Sequence, residues 1–115
     1  IKTLETKVAT DEETLVTETN KKESTIKSNE ELNSKLNQLN EEFASIENDS
    51  NLTADEKSKK SAKIKKEISS TQSKINLNSK KIEISTKKIE TLEKRIESSK
   101  KELEEKKKKE EEKKK

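Results

Sequence analysis

The chain has 115 residues, of which 23% are apolar and 46% are charged, with a formal net charge of +3. So small an apolar fraction excludes a thick globular core and suits a seam between a few helices. Glycine, proline, cysteine and histidine are absent, which removes helix breakers, disulfides, thiolate metal sites and imidazole chemistry.

The first predicted element is an acidic helix over residues 1–48. With the first residue counted as heptad position a, the a and d positions are apolar towards both ends of the helix and polar in its middle, from Asp11 to Asn29. We expect Val16 and Ile26 to rotate inward along this polar section and to cover for it. The a and d positions are Ile1, Leu4, Val8, Asp11, Leu15, Glu18, Lys22, Thr25, Asn29, Leu32, Leu36, Leu39, Phe43 and Ile46.

A turn is predicted over residues 49–53, within the densest cluster of turn-forming residues, ENDSNLTADE. Thr53 and Glu56 have the spacing of a capping box, which predicts that a new helix begins there. The residues from Asn48 to Asn51 can satisfy the carbonyl end of the preceding helix and tolerate left-handed conformations. The alternative is one continuous helix of about 170 Å.

The second helix is predicted over residues 54–103 and is basic. Its a positions repeat every seven residues, which is the pattern of a coiled coil. Four of its six d positions are small and polar, which reduces the apolar area buried between the helices. The a positions are Ile68, Ile75, Ile82, Ile89, Ile96 and Leu103, and the d positions are Ile64, Thr71, Asn78, Ser85, Leu92 and Ser99.

Residues 104–115, EEKKKKEEEKKK, have no apolar side chain to bury. Charges of opposite sign four residues apart can support a helix, so this segment is predicted to be a charged exposed helix or a linker tail. We expect it to begin a stalk or linker that leads into a further part of the protein. The absence of methionine likewise indicates an excerpt or a product of cleavage.

Charge and length favour folding the two helices back on each other. Residues 1–50 carry 6 Lys against 12 Asp or Glu, and residues 51–115 carry 22 Lys or Arg against 13 Asp or Glu. Residues whose numbers add to about 100 to 104 should then face each other. Acidic Glu30, Glu31, Glu41, Glu42 and Glu47 are expected near basic Lys57, Lys59, Lys60, Lys63, Lys65 and Lys66. The predicted fold is an all-α, antiparallel two-helix coiled-coil hairpin, with self-association left open.

The candidate interaction residues are Phe43, Lys57, Lys59, Lys60, Lys63, Lys65 and Lys66. The lysines form the run KSKKSAKIKK, for which we weigh pairing with acids of the first helix against binding of phosphates or an anionic surface. The single arginine and the single aromatic residue disfavour nucleic acid as the partner. Phe43 is interpreted as a core residue, with anchoring of a partner as the alternative.

No pattern for chemistry is present, and we predict that the chain is not an enzyme. Lys, Glu, Asp, Ser and Thr on a two-helix surface remain solvated, whereas catalysis needs a concave and partly dry site. Adjacent carboxylates lack the spacing of a calcium-binding loop, so no catalytic, metal-binding or cofactor-binding residue is assigned. A small-molecule substrate is not expected, and no segment has the apolar length of a membrane span. The expected partner is a protein, or a second copy of the chain, bound through the helical surfaces.

The segment SKINLNSKKIEISTKKIETLEKRIESSKKELEE resembles the N-terminal coiled coil of secreted Gram-positive peptidoglycan hydrolases of the NlpC/P60 group, and is equally similar to the coiled-coil stalks of bacterial surface proteins. The likeness covers about residues 64 to 105. It implies a spacer, stalk or docking arm of a larger bacterial protein at the cell surface or secreted, although the composition also fits the cytoplasm. Alternatives are a regulatory arm of a cell-wall hydrolase that docks on a membrane complex, and a hairpin that binds polyanions weakly.

Overall fold

The computed structural model describes residues 1–114, with side chains described for residues 1–113. It contains two α-helices, α1 (Lys2–Glu47) and α2 (Ala54–Lys114). They form an antiparallel hairpin, which confirms the predicted all-α fold class. The alternative of one continuous helix is wrong, because the chain leaves the helical conformation over residues 48–53.

The chain divides into two compact units. The loop unit is Ser24–Ile82 and contains the turn. The terminal unit consists of Ile1–Glu23 and the part of α2 from Glu83 onward. In each unit a segment of α1 pairs with a segment of α2, and hydrogen bonds or ion pairs join the two segments.

The predicted heptad positions form the seam in both units. Every predicted a and d position of α1 and α2 is buried or half-buried. The most buried apolar side chains are Val8, Leu39, Ile64, Ile75, Leu92 and Ile96. Burial follows this register because a seven-residue repeat keeps one stripe of each helix towards its neighbour.

Val16 and Ile26 do not rotate into the seam. Val16 is 60% exposed and Ile26 36% exposed, so the expectation that they cover the polar section is wrong. α1 continues through this section without a break, and turning one part of an unbroken helix would displace the neighbouring a and d positions as well. The polar core positions therefore stay in the seam, where Asp11 and Glu18 are buried.

Side chains cap both helix ends at the turn. The amide of Glu56 donates to Thr53 Oγ1 at 3.2 Å, and the Thr53 hydroxyl donates to Glu56 Oε1 at 3.1 Å. The predicted cap by Thr53 is thus confirmed, but Glu56 reaches back to the Thr53 hydroxyl instead of to the Thr53 backbone amide, so the reciprocal bond of a capping box is not formed. α1 has no basic residue in its last turn, but Lys57 of α2 donates its ammonium to the Glu47 carbonyl at 3.1 Å, where a positive charge suits the helix dipole.

The turn needs no left-handed residue. None of the described residues has a positive φ angle, so the tolerance of Asn48 to Asn51 for that conformation is not used. Instead, Asp49 Oδ1 accepts a hydrogen bond from the amide of Asn51 at 2.9 Å, which is the side-chain turn that aspartate favours.

The charged tail is helical as far as it is described. α2 runs through Lys114, and residues 104–113 are exposed. Lys106 lies 3.9 Å from Glu102, one helical turn earlier, and such pairs support an isolated helix. The last residue of the predicted tail, Lys115, lies outside the described residues.

Candidate interaction surface

The six lysines of the KSKKSAKIKK run have different surroundings. Lys57 caps α1, as described above, and is half-buried. Lys65 holds its ammonium 5.5 Å from the centroid of the Phe43 ring, within the range of a cation–π interaction. Lys59, Lys60, Lys63 and Lys66 are exposed, and we call these four residues the outer lysine patch.

The predicted ion pairs between the lysine run and the acids of α1 do not form. Within residues 1–113, none of the six lysines lies within salt-bridge distance of a carboxylate. Glu47 bonds instead to the Ser61 hydroxyl, which donates to its Oε1 at 2.8 Å. Heptad position explains part of this, because Lys59, Lys66 and Glu41 are at f positions, opposite the seam, and only e and g positions reach across it. Lys60 at g and Lys65 at e do flank the seam, and Lys65 covers the Phe43 ring instead.

Phe43 is half-buried at an a position of α1. One face of its ring is covered by Lys65, so the aromatic side chain contributes to the loop unit itself. As a core residue or as an anchor for a partner, Phe43 would have to pack its ring against another group. Because Lys65 already occupies one face of the ring, the structure favours the core interpretation over anchoring of a partner.

Two ion pairs to buried acids of the terminal unit were not predicted. The Arg95 guanidinium donates to Asp11 Oδ1 at 2.9 Å, and Lys88 Nζ lies 3.9 Å from Glu18 Oε1. The acids occupy successive d positions of α1, and the cations occupy successive g positions of α2. This spacing of seven residues in each helix is the sequence signal that could have revealed the two pairs.

The residue numbers of both these pairs, Arg95 with Asp11 and Lys88 with Glu18, add to 106, slightly above the predicted range of 100 to 104. Side chains on a helix lean towards its N-terminus. In an antiparallel pair, the side chains of the two helices therefore lean in opposite directions. The residue numbers of two side chains that touch then add to a larger sum than the numbers of two residues whose backbones lie level with each other. The difference therefore lies in the direction of the side chains rather than in the position of the turn.

Shallow grooves follow the flanks of the helices within each unit. One groove of the loop unit is lined by Leu32, Lys35, Lys74 and Leu77, and one of the terminal unit by Thr14, Glu18, Lys88 and Thr91. Over the described residues, no group of three or more acidic side chains has the arrangement of a metal site. The described helices also include none that is apolar over a length sufficient to span a membrane.

The chain matches no family model, no curated protein sequence and no solved structure.

Proposed function

We propose that the hairpin is a non-catalytic coiled-coil module, serving as a spacer, stalk or docking arm in a larger bacterial protein outside the cytoplasm. The observation that carries this proposal is the burial of the heptad a and d side chains between the two helices. The a and d positions of both helices are taken up by packing of one helix on the other. What remains for other molecules is an outward surface of charged and small polar side chains, which suits contact along the paired helices of each unit.

The charged groups of this surface support an interaction role rather than a chemical one. Lys, Glu, Ser and Thr along the outer faces are solvated, and solvation leaves them poor acids, bases and nucleophiles. The two buried carboxylates, of Asp11 and Glu18, are each held by a cation of the facing helix. They stabilise a particular pairing of α1 with α2. The proposed location outside the cytoplasm rests on the resemblance to stalks and to cell-wall hydrolases.

The experiment compares three variants of the full-length protein in its own cell. One lacks residues 1–103, one replaces them with an unrelated antiparallel hairpin of equal length, and one keeps the seam but carries reversed charges on the outward positions. A spacer predicts that only the deletion impairs function. A docking arm predicts that all three variants lose localisation or partner recruitment. Unchanged function and localisation of the deletion variant would overturn the proposal, as would turnover of a substrate by the isolated hairpin.

A regulatory arm of a cell-wall hydrolase gives a different result in the same comparison. Deletion and replacement would then both release peptidoglycan hydrolysis, measured as loss of turbidity of purified cell walls. That result would assign the hairpin to the alternative role that the sequence resemblance implies.

A further inference from the structure

The outer lysine patch is a positive surface that the hairpin itself does not neutralise. Its four ammonium groups are exposed, and no carboxylate of the described residues pairs with them. Residues 57–66 contain six lysines and no acid. The nearest acids along the helix are Asp55, Glu56 and Glu67. Asp55 and Glu56 precede Lys59 and Lys60 by four residues but form no ion pair with them, and Glu56 accepts a hydrogen bond from the Thr53 hydroxyl instead.

The patch is arranged as a row along the helix axis. Lys59, Lys63 and Lys66 are spaced four and three residues apart, so their side chains leave one face of α2. At about 1.5 Å of rise per residue, consecutive lysines are about 5 Å apart along the axis. Lys59 and Lys66 at f and Lys63 at c point away from α1, whereas Lys60 at g lies beside the seam. A ligand can therefore follow the row without meeting the acids Glu30, Glu31 or Glu41 of α1.

A linear polyanion fits such a row better than a bilayer does. Surface helices that bind membranes combine basic residues with a large apolar face. The exposed large apolar side chains of the described residues are Val16, Ile26, Leu77 and Ile84, and none of them belongs to residues 54–76. The patch also lacks arginine and aromatic side chains, so it has no means of reading or stacking bases.

We propose that Lys59, Lys60, Lys63 and Lys66 form a binding site for a linear phosphodiester polyanion, recognised through its backbone charges. Binding of this kind is driven by release of counterions and is independent of sequence. It gives the proposed module an attachment point near its turn. The inference goes beyond the proposed function, since a module with no polyanion affinity would still be a spacer.

The test uses a fluorescently labelled 20-nucleotide oligothymidylate, titrated with the purified chain from 50 to 200 mM salt and followed by anisotropy. We expect a dissociation constant of about 10⁻⁴ to 10⁻⁶ M at 0.15 M salt. Four phosphate contacts to a single strand predict a slope of log affinity against log salt of about −3. Lys→Gln at the four patch positions should weaken binding at least about tenfold and reduce the slope.

The control replaces four other exposed lysines of α2 by Gln and changes the net charge equally. These lysines lie seven residues apart and are interspersed with glutamates along α2, so they do not form an acid-free cluster. They are Lys87, Lys94, Lys101 and Lys108. The control variant should bind within about threefold of the unaltered chain, and Lys→Arg at the four patch positions should retain binding.

Three outcomes would overturn the inference. The first is absence of binding at 50 mM salt, and the second is equal weakening by the patch and control variants, which would indicate a general effect of net charge. The third is tighter binding to vesicles of anionic phospholipid than to the oligonucleotide at equal phosphate concentration. Each variant should remain helical, because the replaced side chains are exposed. Circular dichroism of each variant checks this and separates a loss of binding from a loss of fold.

Discussion

Asp11 occupies a core position that coiled coils usually fill with an apolar side chain. It is 5% exposed, and its Oδ1 accepts a hydrogen bond from Arg95 at 2.9 Å. Its Oδ2 is buried and has no hydrogen-bond partner. A buried carboxylate of this kind costs stability but penalises any arrangement in which it loses its cation.

Asn29 has a similar place in the loop unit. Its side-chain amide donates to the Ile75 carbonyl and to the Ser79 hydroxyl, each at 3.4 Å. A single asparagine at an a position is known to select one alignment of two helices at the expense of stability. Polar residues in both units thus favour the observed pairing over shifted ones.

We predict that Arg95→Gln destabilises the hairpin by about 1 to 3 kcal/mol, because it leaves the Asp11 carboxylate buried without its cation. Adding Asp11→Leu to that variant should restore the free energy of unfolding to at least that of the unaltered chain, since a leucine suits the d position. Urea unfolding followed by circular dichroism measures both changes.

The matched control for this prediction is Lys100→Gln. Lys100 lies 3.7 Å from Glu12, but both side chains are more than half exposed, so its loss should change stability by no more than about 0.5 kcal/mol. Equal effects of Arg95→Gln and Lys100→Gln would show that burial of Asp11 is unimportant.

At the scale of the helices, the start of α2 depends on the side chain of Thr53. Thr53→Ala removes the acceptor for the Glu56 amide and should cost about 1 kcal/mol. Thr53→Ser keeps the hydroxyl and should cost less. Thermal unfolding distinguishes the two variants, and an equal effect of both would assign the cost to packing of the threonine methyl group instead of to the cap.

The contribution of apolar side chains in the seam is tested by comparing a buried leucine of the loop unit with an exposed one. Leu39 is 5% exposed and Leu77 is 55% exposed. Leu39→Ala should cost about 2 to 4 kcal/mol through lost burial and the cavity left behind, whereas Leu77→Ala should be nearly neutral. A larger loss for Leu77→Ala in chemical denaturation would mean that the register of α2 is incorrect.

The register was predictable from the sequence because it depends on a single period. An apolar residue every seven positions identifies the buried stripe without knowledge of the partner. Val16 and Ile26 lie outside this repeat, and their burial was expected only because their side chains are apolar. Continuity of the helix decided otherwise, and their b and e positions remain exposed.

The pairing of charges was less predictable, because it depends on side-chain direction and on the face that each charge occupies. Counting charges in the two halves indicated attraction between the helices. It did not distinguish Glu41, which is directed away from the seam, from Asp11, which lies within it. The outer lysine patch was consequently expected to be neutralised within the chain, and the structure leaves it exposed.

In the whole molecule, α1 and α2 pair antiparallel through their heptad a and d positions in each of the two units. The chain contains no cysteine, so spin labels can be attached only at introduced positions. Thr14 and Thr91 line one groove of the terminal unit, and Lys35 and Lys74 line one groove of the loop unit. Each pair, changed to cysteine, reports on one unit.

Pulsed electron paramagnetic resonance on these two doubly labelled chains, diluted with unlabelled chain to suppress distances between molecules, is the most direct measurement. Because packed helices lie about 8 to 10 Å apart, we expect label separations of about 20 Å in both units. A single straight helix would instead separate the labels by about 115 Å for Thr14 and Thr91 and about 60 Å for Lys35 and Lys74. Distances of that size would contradict the antiparallel pairing of α1 with α2.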